Sequence, residues 1–304
     1  MRVLTFYKFV ALNDLDVLRE SLAHKAARGS LQGTILLSAE GINGTLAGAQ
    51  AALQKFSEQL LVVEPFAGMA CRYSSADADN PVFYRLKVRL KPEIVALGVA
   101  GVDPAQRTGV HVDAAGWNAL LADPDVVVID TRNDYEVAIG TFPGARDPAT
   151  QSFREFPDYV AANLDRQRDT KIAMFCTGGI RCEKASAYLL AEGFEAVFQL
   201  DGGVLNYLET VEQADNRWQG ECFVFDQRVS LDDRLTEGSY EQCYACRRPL
   251  DAQALASFDY LEGVSCPNCI DELTEERRAG LRERLRQVGL AAARGERHIG
   301  ATGS

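Results

Sequence analysis

Polar and apolar positions change period several times along the chain. Thr5–Val10 reads as a strand, and Asp14–Ala27 has helical spacing, with Leu15, Leu18 and Leu22 on one face. Gly33–Leu46 alternates as a hairpin, with Glu40-Gly41 and Asn43-Gly44 as turn residues. Ala49–Leu61 is a second helix, and Phe66–Tyr73 and Val82–Leu90 are further strands. Leu97–Gly116, rich in Gly and Asp with Pro104, breaks the pattern as a linker would. Beyond it, Val126–Asp130 and Ile172–Phe175 are short continuous apolar runs, as buried parallel strands are. Helical stretches lie between them, and the helix Val204–Val211 follows Gln199–Gly203. From about Trp218 the character changes: four cysteines in two pairs, then a charged amphipathic helix over Glu272–Val288.

These elements give an α/β multidomain chain. Residues 1–95, in the order βαββαβ, predict a ferredoxin-like, acylphosphatase-like sandwich. Residues 96–119 are the linker, 120–215 an α/β domain with a parallel sheet, and 216–304 a small Cys-rich module with its helix. The chain has 304 residues, 47% hydrophobic and 25% charged, enough for two or three globular domains. Its net charge of -11 means that any nucleic-acid contact must come from a local patch. The apolar runs are too short for a membrane span. Met1–Leu12, interrupted by Lys8, lacks the core of a signal peptide, which points to the cytoplasm. In that reducing compartment eight cysteines favour catalysis or metal binding over disulfides.

One stretch carries most of the chemistry. Lys171–Leu190 reads as strand, six-residue loop and helix, with Cys176 at the head of the loop Cys176, Thr177, Gly178, Gly179, Ile180 and Arg181. Such a junction aims amide groups and a positive helix end at one spot. Gly178 and Gly179 let the backbone curl, and Arg181 adds a cation at the rim, so the thiol is expected to ionise readily. The alternative is a buried cysteine at a strand end. A cysteine phosphatase would need its Arg one position later, where Cys182 stands, so the tighter loop suits a smaller ligand such as a persulfide sulfur. Cys182 either resolves an oxidised Cys176 or simply packs.

Two further patterns matter. Arg85, Lys87, Arg89 and Lys91 alternate with Leu86, Val88 and Leu90. In a strand this puts four cations on one face, a row about 20 Å long suited to phosphates or else merely solvated. Tyr84 and Tyr73 are candidates for base stacking or for ordinary packing. Cys243-x-x-Cys246 and Cys266-x-x-Cys269, nineteen residues apart, have the spacing of a structural four-thiolate zinc site, although reduced or redox-active cysteines share that pattern. His24, His111 and His298 are scattered, which makes a histidine–carboxylate iron site hard to build, and no flavin or nicotinamide fingerprint stands out.

The loop C-T-G-G-I-R resembles the active-site loop of the rhodanese family. Asp130, Arg132, Glu136 and Pro143-Gly144-Ala145 fit the upstream part of that family's pattern, with Thr141-Phe142 in place of the usual His-Ile. Together with A-E-G-I-N-G-T (39–45), R-L-K-V-R-L-K-P-E-I-V and G-E-C-F-V-F-D-Q-R-V, the chain resembles the rhodanese-containing tRNA uridine hydroxylases (TrhO) over essentially residues 1–270. That resemblance implies oxygen-dependent formation of 5-hydroxyuridine at the wobble position of tRNA. It implies Cys176 as the essential cysteine, with molecular oxygen as co-substrate and tRNA as partner. The residues alone leave two other readings open: a persulfide-carrying sulfurtransferase, and a non-catalytic RNA-binding adaptor. The electron donor, the tRNA set and the oligomeric state are not written in the sequence.

Overall fold

The computed structural model describes residues 1–77 and 81–295; His298 and the Gly/Ser tail lie outside them. The first part of the chain runs β1 (Arg2–Phe9), α1 (Leu15–Arg28), β2 (Gln32–Ser38), β3 (Gly41–Gly48), α2 (Gln50–Leu61), β4 (Cys71–Ser75) and β5 (Leu86–Leu90). Its sheet has the order β4-β1-β3-β2-β5. The first four are antiparallel neighbours, as expected of βαββαβ, and β5 is added at the edge, parallel to β2. Leu4, Phe6, Ile35, Leu37, Ile42 and Leu46 bury one face in the core, beside Leu22 of α1 and Leu53 and Phe56 of α2. Because strand side chains alternate, Thr5, Thr34, Asn43 and Thr45 occupy the opposite face.

The strand expected over Phe66–Tyr73 begins only at Cys71. Phe66 and Met69 bury themselves through turns, in which Phe66 N donates to Val63 O (2.7 Å) and Met69 N to Phe66 O (3.1 Å). Asn43-Gly44, read as a turn, lies inside β3 opposite Tyr7 and Phe6. Gly44 is there for space: a Cβ would sit 2.4 Å from the Phe6 ring.

The stretch read as a linker carries β6 (Val110–Val112) and the start of α3 (Ala114–Ala122), whose Trp117 is fully buried. Then follow β7 (Val126–Asp130), α4 (Asp134–Val137), β8 (Gly140–Thr141), α5 (Phe156–Asn163), β9 (Lys171–Phe175), α6 (Ile180–Ala191), β10 (Ala196–Leu200) and α7 (Gly203–Thr210). The parallel sheet has the order β6-β10-β9-β7. Ile129, Ile172 and Met174 pack on α5 and α6 on one side, whereas Val128, Ala173 and Phe175 pack on Trp117 and on Val204 and Tyr207 of α7 on the other. Phe142 is the hub of this second core, with ring centroids 4.9–5.6 Å from Trp117, Phe175, Tyr207 and Trp218.

The rest consists of short ladders, β11 (Gln219–Gly220), β12 (Cys222–Phe223), β13 (Ser230–Leu231), β14 (Glu241–Gln242) and β15 (Pro249–Leu250), followed by α8 (Ala252–Leu255) and α9 (Glu275–Ala293). β11 pairs with β8, so this segment is stitched onto the parallel-sheet domain. Its own small core is made by Cys243, Leu250, Cys266 and Cys269.

Candidate functional site

The Cys176 loop leaves the carboxyl end of β9, where an open parallel sheet presents its ligand site. Gly179 N–H donates to Cys176 Sγ at 3.1 Å. Gly179 has φ +94, and a Cβ there would meet Tyr7 Oη at 2.7 Å, so only glycine fits. Gly178 lacks that constraint: its φ is not positive, and a Cβ would enter open space. The expected pair of curling glycines is therefore one curling glycine and one that leaves room above the loop. Gly203 holds the loop from behind. Its Cβ would strike Cys176 O at 2.4 Å, and the next two amides, of Val204 and Leu205, donate to Cys176 O (2.9 Å) and Thr177 O (3.1 Å).

Cys176 is fully buried, which by itself would raise its pKa. The Cys182 thiol, the Arg181 charge and the amides of Cys182 and Arg181 outweigh burial and bring it down to about 6. Its neighbour Cys182 moves the opposite way, well above its ordinary value, through burial and the Cys176 charge. Thr131 Oγ1 lies 3.5 Å from Cys182 Sγ.

Arg181 is not the free rim cation that the sequence suggests. It is buried and paired with Glu136, Nη1–Oε2 at 2.6 Å and Nη2–Oε1 at 2.8 Å. Thr177 Oγ1 donates to the same carboxylate at 3.3 Å. Asp130 and Arg132 sit one layer deeper, both fully buried. Arg132 Nε and Nη2 reach Asp130 at 2.8 and 2.5 Å, Nη2 also reaches Gly140 O at 2.5 Å, and the guanidinium lies 5.0 Å from the Trp218 ring centroid. Thr141 Oγ1 donates to Asp130 Oδ2 at 3.0 Å, so the departure at Thr141-Phe142 supplies a hydrogen bond and an aromatic hub.

Over the loop lies a cavity of about 430 Å³, the size of a small-molecule site. Cys176, Thr177, Gly178, Ile180 and Arg181 form its floor. Its roof is the polar face of the N-terminal sheet, with Thr5, Thr34, Asn43 and Thr45, and its side wall is Val224, Phe225, Asp226 and Arg228. Sequence reasoning missed roof and wall as site residues. The signal was present, because two of the motifs quoted above, 39–45 and 220–229, fall on them. Asp226 and Arg228 repeat the Asp-x-Arg fork, Nε–Oδ1 2.9 Å and Nη2–Oδ2 2.6 Å, and Arg228 Nη1 reaches Ser74 Oγ at 3.1 Å on β4. Lys184 of α6, also buried, joins Glu40 (2.8 Å) and Glu93 (2.5 Å) and locks the roof to the loop helix.

Arg85 and Lys87 line a second cavity of about 560 Å³, which shares Thr34, Phe83, Phe225 and Asp226 with the first. Arg89 and Lys91 are exposed farther along the strand and do not line it. Tyr84 is at this cavity, whereas Tyr73 packs against the N-terminal core with its hydroxyl 2.7 Å from Ser57 Oγ. Sγ atoms of Cys243, Cys246, Cys266 and Cys269 all lie within 4.8 Å of one another, with Cys246–Cys266 at 3.8 Å and Cys266–Cys269 at 3.6 Å. A tetrahedral ion with thiolate bonds of about 2.3 Å needs sulfur separations of about 3.8 Å, so the four residues fit a metal ion.

The chain is 52% identical over 302 residues to the tRNA uridine(34) hydroxylase of Mesorhizobium japonicum, covering 99% of this chain and 97% of that one. It belongs to the tRNA uridine(34) hydroxylase family. Within this family member, residues 1–94 match the UPF0176 acylphosphatase like domain and residues 114–210 the Rhodanese-like domain. Among solved structures, the hydroxylase-family chain is similar to a Rhodanese-like domain from Anabaena sp. (22% identity, TM-score 0.31, 36% of this chain and 78% of that one). It is also similar to the acylphosphatase of Bacillus subtilis (15% identity, TM-score 0.24, 29% of this chain and 97% of that one). Among the described residues no helix is long and apolar enough to cross a membrane.

Proposed function

We infer that this protein hydroxylates uridine 34 of tRNA in an oxygen-dependent reaction, giving 5-hydroxyuridine, and that Cys176 is the group that engages the base. The full-length relationship supports the activity. The observation that carries the role of Cys176 is its place on the floor of a roofed cavity, ionised near neutral pH. An unpaired anticodon base can enter such a cavity without opening a duplex. Thr5, Thr34, Asn43 and Thr45 offer hydrogen-bonding groups to its polar edge. The thiolate adds to C6 of the uracil ring and places negative charge on C5, which takes up O2 as a hydroperoxide; two electrons from an external small-molecule reductant release the second oxygen as water, and loss of the C5 proton then expels the thiolate to leave 5-hydroxyuridine.

The four cysteines hold one zinc ion as a structural clasp, since four protein thiolates close the site to substrate. The enzyme works in the cytoplasm, where its tRNA is. The test is purified protein incubated with tRNA lacking the modification, with and without oxygen, followed by nucleoside mass spectrometry. Oxygen-dependent 5-hydroxyuridine is the expected product. Turnover of thiosulfate and cyanide without tRNA modification would instead make the protein a sulfurtransferase.

A further inference from the structure

The cavity beside the Cys176 pocket has a second basic wall that the linear pattern of Arg85 and Lys87 does not reveal. It comes from the Cys-rich module. Arg247 follows the first cysteine pair, and Arg284 lies on α9; both line this cavity together with Arg85 and Lys87. Among the described residues none of Arg85, Lys87, Arg247 and Arg284 forms an ion pair, in a chain with net charge -11. Arg247 Nη1 donates to the neutral Gln242 (2.8 Å) and Arg284 Nη2 to the Tyr244 carbonyl (3.3 Å). Lys87 has a lowered pKa, from partial burial and from repulsion by Arg85, Arg89 and Arg247. Cations held together against their mutual repulsion mark a place for an anion.

Aromatic rings are interleaved with these charges. Arg247 lies over the Tyr244 ring at 5.6 Å, and Tyr84, just before β5, lines the same cavity. Tyr244 Oη in turn donates to Gln227 at 3.0 Å, and Gln227 N–H donates to Val82 O at 3.2 Å, which ties this part of the module to the N-terminal domain. Cations plus ring faces are the equipment of a single-strand nucleic-acid channel. The channel shares Thr34, Phe83, Phe225 and Asp226 with the Cys176 cavity, so a strand lying in it would run next to a base held over the thiol.

We propose that the Cys-rich module is the second jaw of an RNA clamp: the nucleotides flanking uridine 34 lie between β5 and the module, their phosphates on Arg85, Lys87, Arg247 and Arg284 and one base against Tyr84 and Tyr244. This rests on the tRNA reading above and adds the site for the flanking strand. An acidic peptide would suit the charges, but it would use neither the rings nor the position beside the base pocket.

The test uses full-length Cys176→Ala protein, which binds without turnover, and a fluorescent anticodon stem-loop with uridine at position 34. Arg247→Glu and Arg284→Glu are each expected to weaken binding about tenfold and to lower the salt slope by about one. Arg19→Glu, on helix α1 against the core face of the N-terminal sheet, is expected to bind as the parent does. In the same protein without these changes, 5-bromouridine at positions 33 and 35 is expected to crosslink to the peptide carrying Tyr244 or Tyr84, a readout that does not depend on a variant folding. Unchanged affinity and salt slope in both Arg variants, or crosslinks only outside the cleft, would overturn the clamp. Absence of stem-loop binding by the parent, together with absence of tRNA hydroxylation by the wild type, would instead overturn the tRNA reading itself.

Discussion

Arg181 and Glu136 meet fork to fork beneath the Cys176 loop, at 2.6 and 2.8 Å, with neither side chain open to solvent. The loop's cation is therefore largely neutralised by its own protein. It braces the loop through Thr177 as well, Nη2 to Oγ1 at 3.3 Å. Removing one partner strands a buried charge. Glu136→Gln is expected to lose about 3–5 kcal/mol of stability, read as a lower urea midpoint with an unchanged m-value.

Cys176 is expected to ionise with a midpoint near pH 6. Difference absorbance at 240 nm between wild type and Cys176→Ala reads the thiolate directly. In Cys182→Ala the midpoint should move up, because a donor to the thiolate is gone. The sign for stability follows from the same shift. The unfolded chain keeps its proton up to about pH 9 while the folded one loses it near 6, so this group stabilises the fold increasingly from pH 6 to 9 and not at all below.

Lys184→Ala should loosen the roof. Glu40 and Glu93 would be left facing one another without their shared cation, and α6 would lose one of its ties to the N-terminal sheet, the Tyr7–Glu183 hydrogen bond (3.2 Å) remaining. The expected outcome is a loss of about 3 kcal/mol or more and faster limited proteolysis between the two sheets. An unchanged cleavage pattern would show that the remaining contacts, among them Arg228–Ser74 and Tyr7–Glu183, hold the roof without Lys184.

Elemental analysis should find one zinc ion per chain, and a strong chelator should lower the melting temperature of wild type while leaving Cys246→Ser, already without bound metal, unaffected. Because Tyr244 lies between two of the ligands in sequence, metal removal should also weaken stem-loop binding.

The Cys176 loop was legible because its chemistry is local: thiol, glycine and helix start lie within six residues. The Cys-x-x-Cys pairs were legible for the same reason. The roof was not. Thr5, Thr34, Asn43 and Thr45 look like the solvent side of an ordinary sheet, and only docking of the two domains turns that side inward. Arg247 and Arg284 stand some 160 residues or more beyond Lys87, so no periodicity links them to the basic strand. β6 is three residues long, too short for its pattern to register within Leu97–Gly116. Asn43-Gly44 has turn composition, yet its glycine serves the Phe6 ring across the ladder.

The role of Cys176 is tested by mass spectrometry of tRNA nucleosides from cells lacking this gene, complemented with wild type or with Cys176→Ala at equal protein levels. Wild type is expected to restore 5-hydroxyuridine-derived modification at position 34, and Cys176→Ala is not. Equal restoration by both would contradict that role.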